Sequence, residues 1–202
     1  MNRSLMSLVT GICATLLCTA ASAREAGDWI GRLGVHYVDP KSDNHEVVSV
    51  EGAVSVTGGL TYFATPTLAI DLLVAVPFEH DIELEADGRK VGSTQHLPPT
   101  LSLAWFPETS MPIKPFVGVG LNYTLFFEED TKGALAGSKL ELDESFGPAF
   151  MAGILYEFTP GLSLMVDVRH FDIDTEAHLD GTSLGDVHID PWAFGASVAY
   201  EF

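Results

Sequence analysis

Cysteine is almost absent from this sequence. The 202 residues contain two cysteines, Cys13 and Cys18, and both lie within residues 1–23. That segment has the pattern of a cleaved secretory signal peptide, because an apolar stretch too short for a membrane anchor is followed by small residues before position 24. We therefore predict a mature chain of residues 24–202 without cysteine, which excludes disulfides, thiolate nucleophiles and cysteine-bound metals.

Basic residues are also scarce. Ten lysines and arginines stand against 28 aspartates and glutamates, which gives a formal net charge of -18 at pH 7. A chain of this charge repels the phosphates of nucleic acids, whose binding depends on lysine and arginine contacts. The charge balance therefore excludes nucleic acid as a partner and offers no basic face to anionic lipid.

Long hydrophobic runs are missing as well. Hydrophobic residues make up 47% of the chain and the mean hydropathy is +0.22. No apolar run after residue 23, however, approaches the roughly 20 residues that a membrane helix needs. No linker or break in composition divides residues 24–202, so we predict that they form one domain.

The apolar residues instead alternate with small or polar ones. Leu164, Val166 and Val168 fall on one face of an extended strand, and the residues between them fall on the other. The same period of two recurs in seven further segments, near residues 28–38, 54–63, 68–78, 97–105, 117–127, 146–158 and 192–202. Eight strands is an even number, as expected of an antiparallel β-barrel whose two chain ends lie on the same side.

The connections between these segments alternate in length. Three are short turns that contain proline, at residues 64–66, 107–113 and 159–161. Four are long and polar and hold most of the acidic residues, at residues 39–52, 79–95, 128–143 and 172–186. Short periplasmic turns and long extracellular loops are typical of a transmembrane β-barrel.

Alternation alone leaves open which face meets water, so a secreted barrel with an apolar interior, of the lipocalin kind, is the alternative. Two features indicate that the apolar face points outward, toward lipid. The second face is rich in Gly, Ala, Ser and Thr, which fit the narrow interior of an eight-stranded barrel. The apolar face carries aromatic residues near strand ends, where interfacial girdles are expected: Trp29, Tyr37, Phe78, Trp105, Tyr123, Phe127, Tyr156, Trp192 and Tyr200.

The end of the chain supports the same conclusion. Phe202 is the last residue, and Tyr200 and Val198 share its face of the final strand. This arrangement is similar to the terminal strand that the outer-membrane assembly machinery recognises. We therefore predict a bacterial outer-membrane protein that contacts the lipids and lipopolysaccharide of that membrane and is inserted through its C-terminal strand.

Two segments, LPPTL at residues 97–101 and KPFVGVGLNYT at 114–124, resemble the OmpW family of outer-membrane proteins. Shorter matches lie at residues 62–65, 77–80, 172–175, 190–192 and 200–202, and all the matches occur in the same order as in the family. The resemblance covers essentially the whole chain after the signal peptide. It implies an eight-stranded barrel with a narrow, largely apolar lumen that passes small hydrophobic molecules across the outer membrane.

The resemblance also suggests residues that line this lumen. Leu73 matches an inward leucine of the family, and further large residues share the inward parity. The predicted lining consists of Phe63, Leu73, Phe116, Phe126, Met151, Leu155, Met165, Arg169 and Phe171. Arg169 departs from the family pattern, which favours an aromatic residue there. It could pair with Asp167 or Asp71 across the lumen and make the constriction more polar than in relatives.

Three prolines lie in adjacent predicted strands near the external side: Pro77, Pro98 and Pro99. Each removes an amide donor from the β-ladder. We interpret them as a weakened lateral seam between the third and fourth strands, through which an apolar solute could leave sideways into the membrane. The alternative is that they mark strand ends beside a long loop.

The function predicted from the sequence is passive transport of small hydrophobic molecules through the barrel. An enzyme acting on lipid at the outer rim would draw on His170, Asp172, His178, Ser183 and His188, but their spacing fits no nucleophile-base-orienter pattern. We therefore predict no catalytic residue, cofactor or metal centre. The alternative is a structural or adhesive barrel with a plugged interior, whose acidic loops around Asp172, Asp174 and Glu176 bind divalent ions.

Overall fold

The computed structural model describes residues 24–41, 48–84 and 88–202. The predicted signal peptide, residues 1–23, lies outside this part of the chain. The described residues form the strands β1 (Trp29–Asp39), β2 (Val48–Val50), β3 (Ala53–Phe63), β4 (Leu68–Ala75), β5 (Phe78–Leu84), β6 (Lys90–Leu97), β7 (Thr100–Trp105), β8 (Ile113–Thr131), β9 (Leu140–Leu142), β10 (Ser145–Thr159), β11 (Leu162–Phe171), β12 (Asp174–Leu179), β13 (Thr182–His188) and β14 (Trp192–Glu201), and one short 3-10 helix at Gly133–Leu135. None of their helices is long and apolar enough to cross a membrane.

Eight of the strands close into an antiparallel barrel in the order β1, β3, β4, β7, β8, β10, β11 and β14. The last strand pairs with the first over ten residue pairs, among them Leu33 opposite Val198. Closure leaves no free sheet edge in the membrane, where an unpaired backbone amide or carbonyl would have no water to bond. The predicted eight-stranded barrel is confirmed.

Alternation along each barrel strand separates a lipid face from an interior. On β1, Leu33 is 66% exposed and Val35 is 47% exposed, whereas Arg32 and His36, which flank this pair in the sequence, are buried. Exposed aromatic side chains ring both ends of this apolar band, with Trp29, Trp105, Tyr156 and Tyr200 at the short turns and Tyr37, Tyr123, Phe146 and Trp192 at the opposite end. Such a band with aromatic girdles is the lipid-facing surface of an outer-membrane barrel.

The two longest connections are not irregular loops. β5 and β6 form a hairpin that continues β4 and β7, and β12 and β13 form a second hairpin that continues β11 and β14. In β5 the inward residues His80 and Ile82 are buried, while the acidic Glu79, which points outward, is exposed. The alternation in β5 therefore persists beyond the membrane, and its outward positions are acidic because they face water. This polarity is why the sequence predicted loops at residues 79–95 and 172–186.

The prediction for Phe78 was wrong. It was placed on the lipid face with the aromatic girdles, but the side chain is only 2% exposed and points into the barrel. Leu73 and Ala75 face inward on β4, so continued alternation would have turned Phe78 outward. The strand is interrupted at residues 76–77, between the end of β4 and the start of β5, and this interruption shifts the parity by one residue.

Glycines let neighbouring strands pack closely inside the barrel. A Cβ atom added at Gly34 on β1 would lie 2.2 Å from the carbonyl oxygen of Ala196 and 2.3 Å from Oγ of Ser197 on β14. The first contact is with backbone, which cannot move aside without breaking the ladder. The close packing of β1 against β14, where the barrel closes, therefore requires glycine at this position.

Replacing Gly34 with alanine should lower the free energy of unfolding by about 1–3 kcal/mol, because overpacking forces a backbone shift. Urea unfolding of the barrel in micelles, followed by tryptophan fluorescence, measures this change. Gly31→Ala is the matched control, since its added Cβ would meet Phe202 at 3.6 Å, an ordinary contact distance. Equal midpoints for the two variants would contradict the packing argument.

Candidate functional site

A packed aromatic floor occupies the end of the barrel that carries the short turns. The ring of Phe106 lies 5.1 Å from that of Phe63 and 5.0 Å from that of Phe116, measured between centroids. Met151, Leu155 and Met165 belong to the same buried cluster. Five of the nine residues predicted to line the lumen, namely Phe63, Phe116, Met151, Leu155 and Met165, are therefore packed side by side here, each at most 5% exposed.

Arg24 covers this floor from below. Its guanidinium carbon lies 4.8 Å from the ring centroids of both Phe63 and Phe106, and its Nε atom lies 3.5 Å from a carboxylate oxygen of Glu201 on β14. A cation over two aromatic faces gains about 0.5–2 kcal/mol per ring when it is shielded from water. No pattern in the sequence pointed to Arg24, because it lies outside every alternating segment.

A layer of paired charges crosses the middle of the barrel. Arg32 on β1 donates to both carboxylate oxygens of Asp71 on β4, with NH2 to Oδ1 at 2.9 Å. Arg169 on β11 donates from Nε to Asp167 at 2.7 Å and approaches Asp71 at 3.3 Å. The expectation that Arg169 pairs with Asp167 or Asp71 is confirmed, and it contacts both. We call Arg32, Asp71, Asp167, Arg169 and His36 the charged layer.

Hydrogen bonds complete the charged layer. His36 contacts Asp167 at 3.2 Å and the hydroxyl of Thr57 at 2.7 Å, and the hydroxyl of Thr61 donates to Asp71 at 2.7 Å. The five residues of the layer are at most 6% exposed. Gly59 leaves the space that Arg32 occupies, because a Cβ atom there would lie 2.3 Å from the guanidinium carbon. The layer fills the barrel at this depth with two arginines, two aspartates and one histidine.

Above the charged layer the interior becomes apolar again. Leu73, Phe171 and the partly buried Phe126, three further residues of the predicted lining, pack with Phe78 and Ile173. The complete buried set, which we call the outer cluster, is Val38, Ala53, Leu73, Phe78, Ala149, Phe171, Ile173, Ala177, Val187, Ile189 and Ala193. It joins the barrel wall to the extracellular hairpins.

An extracellular cavity of about 80 Å³ opens above the outer cluster. Its walls are almost entirely carbon and come from both hairpins, β8 and the chain around β9. The lining residues are Val50, His80, Ile82, Thr94, His96, Phe126, Leu135, Leu140, Leu142, Thr175, Ala177, Leu184, Val187 and Ile189. Concave apolar surface with a few polar groups is typical of a binding site for a small hydrophobic molecule.

The three predicted seam prolines lie where the ladder between the third and fourth barrel strands stops. The last pair of β4 with β7 is Leu73 opposite Thr100, and the next pair, in the extracellular hairpin, is Phe78 opposite His96. Residues 74–77 and 97–99 between these pairs are not paired with each other. We call this gap the lateral seam.

Each edge of the lateral seam is held by its other neighbour. The amide of Val76 donates to the carbonyl of Val56 at 2.9 Å, and the carbonyl of Pro99 accepts from the amide of Tyr123 at 3.1 Å. Phe78 and Leu73, which bracket the seam, belong to the outer cluster, and that cluster shares Ala177 with the cavity wall. Packed apolar side chains thus connect the cavity wall to the seam.

Two histidines of the extracellular hairpin stack in the cavity wall. The ring centroids of His80 and His96 are 4.7 Å apart, and His96 also stacks on Phe78 at 5.3 Å. Burial lowers the pKa of His96 to about 3, and the neighbouring His80 adds to the effect. Burial also lowers the pKa of His80. Both rings are therefore neutral at pH 7 and keep the wall uncharged.

Ser183 and His178, two of the residues considered for an outer-rim enzyme, lie near the same carboxylate, that of Glu176. Ser183 donates to Glu176, His178 lies 3.6 Å from Asp143, and His188 pairs with Asp174. Potential metal ligands approach within 4.8 Å of one another in two groups, Asp143 with Glu176 and His178, and Asp172 with Asp174 and Asp190. Because Ser183 donates to a carboxylate and not to a histidine, the described residues form no hydrogen-bonded series of nucleophile, histidine base and orienting carboxylate.

The closed eight-stranded barrel, its lipid-facing band and its extracellular hairpins define the class of bacterial outer-membrane barrel proteins. The OmpW family model matches residues 25–202. Outer membrane protein W of Escherichia coli (strain K12) is 37% identical over 201 residues, covering 93% of this chain and 94% of that protein. The chain belongs to the OmpW family and resides in the outer membrane, as predicted.

Other relatives agree with this assignment. Outer membrane protein W of Vibrio cholerae is 35% identical over 210 residues, covering 95% of this chain and 96% of that protein. The crystal structure of the outer membrane protein OprG from Pseudomonas aeruginosa superposes with a TM-score of 0.78 at 29% identity, covering 89% of this chain and 98% of that one.

Replacing Asp71 with alanine should lower the free energy of unfolding by about 3–5 kcal/mol, because it leaves Arg32 buried without a carboxylate partner. Urea unfolding in micelles is the measurement. Asp81→Ala is the control, because the Asp81–Lys90 pair is largely exposed on the hairpin and should leave the midpoint where it is. An unchanged midpoint for Asp71→Ala would show that the charged layer does not stabilise the barrel.

Lowering the pH should loosen the β5–β6 hairpin. In the unfolded chain His96 binds a proton below about pH 6.5, whereas in the folded hairpin its pKa is about 3. The hairpin therefore has its full stability above pH 6.5 and loses about 2 kcal/mol by pH 5. Amide hydrogen exchange of residues 90–97 at the two pH values measures the loss, after correction for the intrinsic pH dependence of exchange. His96→Phe should remove the contribution of His96 and leave only that of His80, whose pKa burial also lowers. A loss in this variant as large as that of the wild type would contradict the assignment.

Proposed function

We propose that this barrel is a passive conduit that takes small hydrophobic molecules from the outer surface and releases them sideways into the membrane. The observation that carries the proposal is the continuous packing of apolar side chains from the extracellular cavity to the lateral seam. Lipopolysaccharide presents a polar barrier to such molecules, and a protein path with carbon walls would bypass it. We assign no catalytic step, cofactor or metal to this function.

Binding in the cavity is expected to be weak. Each Å² of apolar surface removed from water contributes about 25 cal/mol, and a cavity of about 80 Å³ contacts only a small solute or one end of a longer one. Weak binding suits a conduit, since the solute must leave as readily as it binds.

The charged layer argues against straight passage to the periplasm. An apolar solute moving down the axis would have to separate Arg32 from Asp71 and Arg169 from Asp167, and each separation leaves a buried charge uncompensated. Breaking such a pair costs about 3–5 kcal/mol. The aromatic floor and Arg24 would present a second obstruction. This differs from the lumen-long passage expected from the sequence, and it leaves the sideways route as the easier one.

The lateral seam offers that route near the outer end of the lipid band. Pro77, Pro98 and Pro99 have no amide hydrogen. Successive amides of an extended strand point to opposite sides, and the carbonyl of Pro99 is bonded to β8, so the missing donors that would face the gap are those of Pro77 and Pro98. Because each edge is anchored to its other neighbour, the gap can widen without unravelling the barrel. A solute in the outer cluster would then reach lipid by displacing side chains alone.

Insertion through the C-terminal strand is part of the same proposal. Phe202 is 66% exposed and stacks on Tyr200, with ring centroids 6.2 Å apart. In the closed barrel the amide of Phe202 donates to the carbonyl of Trp29 at 2.9 Å. The assembly machinery would therefore recognise this strand before it pairs with β1.

A structural barrel is the second candidate. The filled interior and the two groups of acidic side chains at the outer rim favour it, because divalent ions held there would bridge lipopolysaccharide phosphates. A barrel of this kind would stabilise the outer leaflet but carry no solute. Transport measurements separate the two candidates.

Replacing Pro77, Pro98 and Pro99 together with valine should slow uptake by about tenfold, since the restored amides at positions 77 and 98 can add hydrogen bonds worth about 0.5–1.5 kcal/mol each across the gap. The measurement is the fluorescence rise of N-phenyl-1-naphthylamine as it enters asymmetric proteoliposomes with lipopolysaccharide in the outer leaflet. Vesicles without protein give the background rate.

Pro148→Val is the matched control. Pro148 lies in β10 opposite Leu121, in a different strand pair from the lateral seam, and the variant should transport at the wild-type rate. A triple variant as fast as the wild type would refute the lateral route. A wild-type rate equal to that of empty vesicles would instead favour the structural barrel.

A further inference from the structure

His80 lines the extracellular cavity and carries an unusual buried atom. The residue is 2% exposed, and its Nε2 atom is buried without a hydrogen-bond partner among the described residues. Leaving a buried polar atom unpaired is unfavourable, so such an atom calls for an explanation. The rest of the lining is almost entirely carbon.

The chemical character of this nitrogen follows from the opposite side of the ring. His80 Nδ1 is hydrogen-bonded to the backbone carbonyl of Glu51. A carbonyl oxygen only accepts hydrogen bonds, so Nδ1 must carry the hydrogen of the neutral ring. Because burial lowers the pKa of His80, the ring is neutral at pH 7. Nε2 is then a bare lone pair, which can accept a hydrogen bond but cannot donate one.

Water is a poor partner for this lone pair. A buried water molecule needs two to four polar contacts. The hydroxyls of the lining residues Thr175 and Thr94 direct their hydrogens to the carbonyls of Asp143 at 2.6 Å and Gln95 at 3.5 Å. They can therefore offer a water molecule only acceptor lone pairs, and the rest of the wall is almost entirely carbon. A ligand that brings one donor on an otherwise apolar body matches the cavity better.

We propose that the extracellular cavity is a binding site for small hydrophobic molecules that carry a hydroxyl donor, such as phenols and alcohols, with His80 Nε2 accepting the hydrogen bond of the hydroxyl once the ligand has displaced the side chains that cover this atom. The stacked rings of His80, His96 and Phe78 form an aromatic wall along which a planar ligand can lie. His80 would thus set which hydrophobic molecules the cavity selects. This inference rests on the proposed conduit function and names the substrate class that the conduit prefers.

The pair 4-fluorophenol and 4-fluorotoluene tests the inference, because a methyl group replaces the hydroxyl and little else changes. Binding to the full chain in lipid nanodiscs is followed by fluorine NMR at neutral pH, with empty nanodiscs giving the lipid contribution. Wild-type protein should bind the phenol about tenfold more tightly than the toluene, as one buried hydrogen bond allows.

Three variants isolate the contribution of His80. His80→Phe keeps an aromatic ring but has no acceptor, so the two ligands should bind alike and the toluene should bind as it does to the wild type. His80→Gln returns an acceptor oxygen and should restore part of the preference. His178→Phe is the matched control, because His178 lies outside the cavity lining, and it should keep the full preference.

The possible results separate the inference from the function on which it rests. A wild-type preference no greater than that of His80→Phe, with both ligands bound, would overturn the role of His80 and leave the conduit standing. Binding of neither ligand above empty nanodiscs would overturn both. A third result would also overturn the assignment: His80→Phe no longer binds the toluene, and His178→Phe no longer prefers the phenol. The preference for the phenol would then depend on the structure of the hairpins and not on the lone pair of His80.

Discussion

The backbone of this protein has to satisfy its own hydrogen bonds, because the surrounding lipid offers none. Closure of β14 onto β1 achieves this, and the other features of the barrel follow from it. Once the ladder closes, every strand has one face toward lipid and one toward a narrow interior. Eight strands leave an interior that side chains can fill, so the identity of the inward residues decides whether anything can pass.

The inward residues divide the barrel into levels with different chemistry. The aromatic floor and the charged layer close the periplasmic half, while the outer cluster and the cavity make the external half apolar. In the charged layer the two arginines, Arg32 and Arg169, balance the two aspartates, Asp71 and Asp167, and the hydrogen bonds join β1, β4 and β11 across the lumen. On the proposed route a solute from outside would meet carbon until it reached these paired charges, and the lateral seam lies between the two regions.

Beyond the membrane the ladder requirement relaxes, because water can bond to exposed amides and carbonyls. In the hairpins, β5 and β12 keep the same alternation but present mostly acidic residues outward, and inward residues of both hairpins build the cavity. The lateral seam lies at this boundary. Prolines are tolerated there because the two edges bond to β3 and β8 instead of to each other.

Much of the fold was predictable because alternation is a local property of each strand. The eight barrel strands, the lipid face and the family were identified from patterns within a few residues of one another. The strands of the extracellular hairpins were missed, since charged outward positions resemble loops when only polarity is considered. Phe78 was assigned to the wrong face because a break in parity at residues 76–77 depends on how the chain turns from the barrel into the hairpin.

The sequence predicted which residues of the site face inward, but it did not predict what these residues contact. Sequence alone determined that Phe63, Leu73 and Arg169 face the interior, because side chains in a strand alternate with a period of two. Only the tertiary structure decided what they meet there. Arg169 contacts Asp71 from 98 residues away, and Arg24 and His80 acquired their places through the closure of the barrel and the docking of the hairpins. Such contacts depend on strand register and on which strands become neighbours. The spacing of residues along one strand determines neither of these.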